Sequence, residues 1–434
     1  MSEKGTQLYE QLKEKIQETK EENNLYKKFV DFWRVACKGK FRVYDIQYKY
    51  EDSTKEFVEK YRDKLTEMRK EFVANMEDYV EECIDSLENN NFTVHYAKTN
   101  EEAQKIFLEE IGSHDTIYKS KSNEAKDIGI LETLRENEIT LKETDLGDVL
   151  VQLFDYDLPS YQLGPGVHFD AQDIVDKIKE KYDVELEPTS QEIVNFFRKT
   201  YRNELLNDVK VSLTSANAIS ADDGSIVLVE NEGNISLLTR ATDKHIVVVG
   251  ITKIVPTIFD ALLVAKMQER INNAEISYIS FITSPSNTSD IKGKNVQGMY
   301  GAKEVVVILV DDWRMEAKTE NLIYKDFLNC ISCKSCNFIC PSSRSFGNVF
   351  ASKYGLGATA IIHDFIHKDI EEAVKDGLFL CTGCEACYNW CPVNVNLAEI
   401  MKEMKKKATE EGLAPPPLED YRKKIFEQKN PFKE

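Results

Sequence analysis

The chain has no uninterrupted apolar run of the roughly 20 residues that a membrane span requires, and its opening MSEKGTQLYEQLKEK has no apolar signal stretch. A cytoplasmic location and no transmembrane segment are therefore expected. Basic residues are in deficit: 56 Lys and Arg face 75 Asp and Glu, a formal net charge of −19. A surface of that sign repels phosphate backbones, which argues against nucleic acid as a partner. Histidine is sparse, 6 in 434 residues, and no group of them has metal-ligand spacing. His363 and His367 share one helix face at i, i+4 but lack a third ligand, so they are expected to be surface or packing residues. No P-loop occurs, and the one G-x-G-x-x-A match, Gly355-Leu-Gly357-Ala-Thr-Ala360, follows no strand signal. Cysteine is nearly absent before residue 330, where only Cys37 and Cys83 occur, each read as a small core residue.

Against that scarcity stand CISCKSCNFICP (330–341) and CTGCEACYNWCP (381–392). Each fits C-x2-C-x2-C-x3-C-P, the spacing of a two-cluster ferredoxin. Three thiols at two-residue intervals curl around one cubane, and the fourth, followed by proline, characteristically leaves for the other. The expected ligand sets are Cys330, Cys333, Cys336 and Cys391 for one 4Fe-4S cluster, and Cys381, Cys384, Cys387 and Cys340 for the second. Structural zinc uses separated pairs rather than triplets, and disulfides are disfavoured in a reducing cytosol.

The remaining chain divides by pattern. Residues 1–90 read as a helical N-terminal section, with a charged helical pattern from Gln7 to Lys28. One long amphipathic helix is expected from Ser53 to Leu87, opened by the capping box Ser53-x-x-Glu56. Residues 91–312 change period. The short runs FTVHYA, DTIYKSK, ITLKETD, VKVSLT, SIVLVEN, KHIVVVG, ISYISFI and EVVVILV, with a hairpin turn at Asp223-Gly224, predict an α/β layer domain. Residues 313–410 read as helices around the cysteine motifs, and some forty residues between Cys340 and Cys381 point to an all-α ferredoxin domain. Pro415, Pro416 and Pro417 predict an extended tail over 411–434.

Within the α/β region the segments KSKS (119–122), ETDLGDVLVQL (143–153), LPSYQLGPGVH (158–168), GSIVLVENEGN (224–234), IVPTIFDA (254–261) and TSPSNTSDIKG (283–293) closely resemble the LUD domain. With the two cluster motifs following, the order resembles the lactate-utilisation protein B family. That resemblance implies an open α/β sheet similar to the isomerase and CoA-transferase superfamily. It also implies a non-catalytic electron-transfer subunit acting with other subunits of an L-lactate-oxidising complex, a flavoprotein or cysteine-rich reductase among them. Clusters move electrons singly, so the two-electron chemistry of the substrate belongs elsewhere. Two other readings compete: a relay in a heterodisulfide-reductase-type complex, and a LUD ligand-sensing module whose clusters report redox state.

Two loops of the α/β region are candidate anion sites. Lys119, Ser120, Lys121 and Ser122 end a strand and open a helix, whose amides and dipole favour carboxylate or phosphate. Thr283, Ser286, Asn287 and Thr288 follow another strand. Both also read as ordinary polar caps. Glu230-Asn231-Glu232-Gly233 resembles the glutamate loop of CoA transferases, with a structural hairpin as the competing reading.

Overall fold

A computed structural model describes residues 3–21, 24–50, 52–272 and 276–429. The side chain of Ser53, the expected capping-box residue, lies outside the described residues. The chain forms two compact units, one of residues 52–157 and 164–333, the other of residues 1–51, 158–163 and 334–434. Among the described residues no helix is long and apolar enough to cross a membrane.

All eight strand runs of the α/β region form strands, but they divide between two sheets. Six strands, including two-sided apolar Lys244–Gly250 and Glu304–Val310, make one parallel sheet. Its order from edge to edge is Thr93–Ala97, Glu304–Val310, Lys244–Gly250, Val211–Thr214, Thr116–Lys119 and Thr140–Glu143. The two longest strands are buried along almost their whole length, as strands covered on both faces must be, whereas the edge strands are half-buried. Ile246, Val248, Val306, Ile308 and Val310 form the core with Ile117 of the same sheet and with Phe107 and Ile130 of flanking helices.

The parallel sheet fits the expected α/β layer domain, and the other strands form a second sheet beyond that expectation. Ile226–Glu230 pairs antiparallel with both Ala218–Ser220 and Tyr278–Ile282, and Ile254–Val255 completes a separate four-stranded sheet. Its hairpin turns where expected. Gly224 has φ +66, and a Cβ there would stand 2.9 Å from the backbone of Ser86.

The helix expected from Ser53 to Leu87 is two helices, Asp52–Ala74 and Met76–Asn89. Asn75 breaks it at φ −114, ψ 34, and its side-chain amide donates to the Glu71 carbonyl at 3.1 Å. This local side-chain bond competes with helical geometry while leaving the apolar stripe in phase on both sides. Cys83 is buried on that stripe with Met76, Val80 and Leu87, as expected.

In the other unit, the pattern from Gln7 to Lys28 belongs to two helices, Glu3–Glu18 and Leu25–Tyr50. The second packs Phe29, Trp33 and Cys37 against Tyr161, Ala351 and Leu356, so Cys37 is a core residue. Trp33 stacks on Phe338 with ring centroids 4.9 Å apart. The cysteine-bearing region is helical but not all-α. Ala351–Ser352 pairs antiparallel with Gly355–Leu356, directly before the buried helix Gly357–His367. Gly355 is accounted for by packing: its φ is +116, and a Cβ would lie 1.8 Å from Gln162 Nε2. His363 and His367 stack in parallel, centroids 5.5 Å apart, beside Tyr354. The expected extended tail is also corrected, since Pro416–Gln428 is a helix. Prolines in a first helical turn lose no intrahelical bond, so the proline run starts this helix rather than preventing it.

Candidate iron-sulfur centre

The two cysteine motifs share more than spacing. Each begins with a 3-10 turn, Lys325–Asn329 or Leu378–Leu380, whose carbonyl accepts the amide of the first cysteine. Cys330 and Cys381 then adopt nearly the same extended backbone, ψ 129 and 126. The loops that follow go left-handed at matching positions: Ser332 (φ +57) and Lys334 (φ +58) in the first, Gly383 (φ +68) and Glu385 (φ +57) in the second. Three of these four residues are not glycine, and a left-handed backbone costs each about 1 kcal/mol or more. Alternating left-handed residues turn successive N–H groups toward one side, the concave arrangement that receives anions and iron-sulfur clusters. In the first loop the Ser332 N–H donates to Cys330 Sγ at 3.3 Å.

The fourth cysteines are also alike. Cys340 and Cys391 end short helices in extended conformation, ψ 120 and 126, each before a proline. Cys340 Sγ accepts from Ser343 N at 3.4 Å, and Cys391 Sγ accepts from Val395 N at 3.3 Å. The Ser342 hydroxyl, second residue of the helix Pro341–Phe346, donates to the Leu380 carbonyl at 2.6 Å. That bond holds the start of this helix beside the second motif.

One cavity, open to solvent on one side, has Cys336, Cys340, Cys381, Cys384 and Cys387 in its wall. Ala398 and Met401 of the helix Leu397–Glu410 close it with apolar surface. Burial pushes the Cys340 thiol up to about 11, with Cys381 and Cys384 adding to the rise. Cys387 is pushed to about 12 by burial, then by Cys340 and Cys381. Such thiols keep their protons until a metal displaces them, so loading releases acid. Among the described residues no three His, Cys, Asp or Glu converge tightly enough to grip a single metal ion. The thiols of the cavity wall line a space bounded by Ala398 and Met401, and a thiol-lined space with an apolar wall fits a multi-iron cluster. The loop 382–385 is exposed, Cys384 included.

Side chains remote in sequence hold both loops. Arg69 is 1% exposed, and its guanidinium donates to Ile254 O at 3.1 Å and Leu328 O at 2.8 Å. Burial pushes Arg69 down to about 10, with Cys330 working against that shift, which leaves it charged at neutral pH. Gln268 Nε2 donates to Ile331 O at 2.6 Å, and Asn272 Nδ2 to Cys333 O at 2.7 Å. In the second motif Lys405 Nζ donates to Cys381 O at 2.5 Å. Burial lowers the Lys405 pKa, and Cys381 opposes the change.

The candidate anion loop holds its charges internally. Lys119 Nζ lies 2.9 Å from the Glu143 carboxylate, and Lys121 Nζ 2.9 Å from that of Asp145. Lys119 Nζ also donates to the Ser120 carbonyl at 3.0 Å. Ser122 Oγ accepts from Ala125 N at 3.0 Å and caps a helix of only five residues, Asn123–Asp127. Burial pushes the Glu143 carboxyl up, against the pull of Lys119. In the 283–288 loop, Asn287 Nδ2 donates to Ser284 Oγ at 2.9 Å and opens a small exposed hairpin. The Glu230 carboxylate accepts from Ser236 N at 3.0 Å at the start of the helix Asn234–Ala241. It therefore serves as a structural cap.

Residues 80–310 match the LUD domain, and residues 326–395 match a 4Fe-4S dicluster domain. The chain belongs to the LUD domain family. It is 28% identical over 362 residues to the uncharacterized electron transport protein YkgF of Escherichia coli K12, covering 82% of this chain and 73% of that protein. Lactate utilization protein B of Bacillus subtilis 168 is 28% identical over 370 residues, with 82% and 73% covered. Its counterpart in Shouchella clausii is 29% identical over 375 residues, with 82% and 75% covered. A crystal structure of a DUF162 family protein from Deinococcus radiodurans aligns with a TM-score of 0.31 at 12% identity, over 54% of this chain and 97% of that one. In this LUD-domain chain, sequence reasoning missed Arg69, Gln268, Asn272 and Lys405. Arg69 left a trace, a charge between Leu65 and Phe72 on an otherwise apolar stripe.

Proposed function

We propose that the chain is an iron-sulfur electron-transfer subunit of a complex that oxidises L-lactate to pyruvate. Cys330, Cys333, Cys336 and Cys391 hold one 4Fe-4S cluster, and Cys381, Cys384, Cys387 and Cys340 hold the other. The observation that supports this reading is that Cys340, from the first motif, lines one cavity with the three leading cysteines of the second, with Cys336 in the same wall. The matched left-handed loops support it, because their N–H groups favour an anionic, thiolate-bound group. Clusters so held supply one-electron relay. The chain's own residues bind the groups, exclude water with Ala398 and Met401, and leave the 382–385 loop open toward a partner.

Lactate enters through the relatives, two of which carry lactate utilisation in their names and one electron transport. Lactate loses two electrons, so a flavoprotein or cysteine-rich reductase subunit is required to split the pair. The test is anaerobic. The isolated, cluster-loaded chain is expected to accept electrons from a strong chemical reductant but not from L-lactate, and lactate is expected to bleach it only after its co-purifying partners are added. Robust lactate oxidation by the single chain contradicts the proposal.

A further inference from the structure

Two cations in this protein are placed where a charge is costly. Arg69 is almost fully buried, and among the described residues no carboxylate pairs with it. A buried charge persists only if something compensates it, and carbonyl dipoles satisfy two of its N–H groups without supplying a counter-charge. Among the described residues Arg69 Nε has no hydrogen-bond partner. Its carbonyl partner Leu328 stands two residues before Cys330, the first cysteine of its motif. Lys405 repeats the arrangement at the second motif. It is half-buried, also without a paired carboxylate, and donates to the carbonyl of Cys381, again the first cysteine. On its helix it continues the face of Ala398 and Met401, the two residues that close the thiol-lined cavity. Neighbouring lysines of that helix, Lys402, Lys406 and Lys407, all have glutamate partners.

We propose that Arg69 and Lys405 are built-in counter-charges, one for each cluster, and that they set the two reduction potentials independently. The inference rests on the two-cluster reading above. A thiolate-held cluster is anionic, and gaining one electron makes it more negative. A fixed cation in a desolvated setting stabilises the reduced form more than the oxidised form, and so raises the electron affinity of the cluster beside it. Neither residue binds iron, so both are positioning and tuning residues.

The experiment uses the full chain purified anaerobically, as wild type and as Arg69→Met, Arg69→Lys, Lys405→Met and Lys405→Arg. Iron and acid-labile sulfide are measured first, then each cluster's midpoint potential by dye-mediated titration followed by EPR. Lys405→Met is expected to cost one cluster a tenfold or greater loss of electron affinity, about 59 mV for a one-electron couple, and to leave the other unmoved. Arg69→Met is expected to do the same to the opposite cluster. Arg69→Lys and Lys405→Arg keep the charge and are expected to keep wild-type potentials. If Arg69→Met fails to load while Arg69→Lys loads at the wild-type potential, the need for charge is upheld. Unchanged potentials in loaded Met variants, equal shifts of both clusters, or a lowered potential in Arg69→Lys overturn the proposal. A wild type without two clusters' worth of iron and sulfide overturns the underlying reading instead.

Discussion

The indole N–H of Trp33 donates to the hydroxyl of Ser343 at 3.1 Å, across 310 residues of sequence. Trp33 is 1% exposed and lies 4.9 Å from the ring of Phe338 and 5.0 Å from that of Tyr161. An N-terminal helix thus braces the short helices that carry Cys336 and Cys340. Trp33→Ala is expected to cost about 3 to 5 kcal/mol, the usual range for deleting a buried large aromatic. Trp33→Phe, which keeps most of the packing and loses the hydrogen bond, is expected to cost about 1 to 2 kcal/mol. Denaturant unfolding of the cluster-loaded protein measures both.

Cys340 separates the two ways of pairing thiols with clusters. Cys340→Ala is expected to remove or alter the cluster held by Cys381, Cys384 and Cys387 and to spare the other, although Cys340 belongs to the first motif. Iron should then fall by about half if the four-iron group is lost outright. EPR of the reduced variant reports which signal survives, and a change confined to the first-motif cluster contradicts the crossed arrangement.

Gly383 is left-handed at φ +68, and a Cβ there would meet nothing within 4 Å. The only penalty of Gly383→Ala is therefore conformational, about 1 to 2 kcal/mol for forcing an L side chain into that region. The expected result is a chain that still folds but loses its second-motif cluster faster under a chelator. Chelator-dependent bleaching checks this against wild type.

How far the sequence could be read follows from how local each feature is. The eight strands were legible because central strands such as KHIVVVG are apolar on both faces, a signal contained within seven residues. Their division into two sheets was not, because pairing such as Val227 with Phe281 is decided 54 residues away. The cysteine motifs were legible from spacing alone. Their anchors were not: Arg69 meets its carbonyl partners 185 and 259 residues on, so nothing beside it announces the role. The break at Asn75 is hidden because the stripe resumes in phase, and the proline-led helix Pro416–Gln428 because a proline run signals a helix stop as readily as a first turn.

Asp364 gives a pH dependence with a definite sign. It is 2% exposed, and burial, with Asp376 next, pushes its carboxyl up to about 8. The folded chain therefore holds a proton that the unfolded chain releases at ordinary carboxylate pH. Its contribution is fully present below about pH 4 and is lost as pH rises through the folded value, with a slope of up to about 1.4 kcal/mol per pH unit. Asp364→Asn is expected to flatten that slope and to gain most at alkaline pH. Unfolding of loaded wild type and variant at several pH values measures it, and parallel curves contradict the assignment.

The most direct test of the central claim is the iron, acid-labile sulfide and zinc content of the full chain purified without oxygen. The account predicts about eight irons and eight sulfides per chain, one four-iron cubane for each motif, with little zinc. Stoichiometric zinc with little iron or sulfide contradicts it.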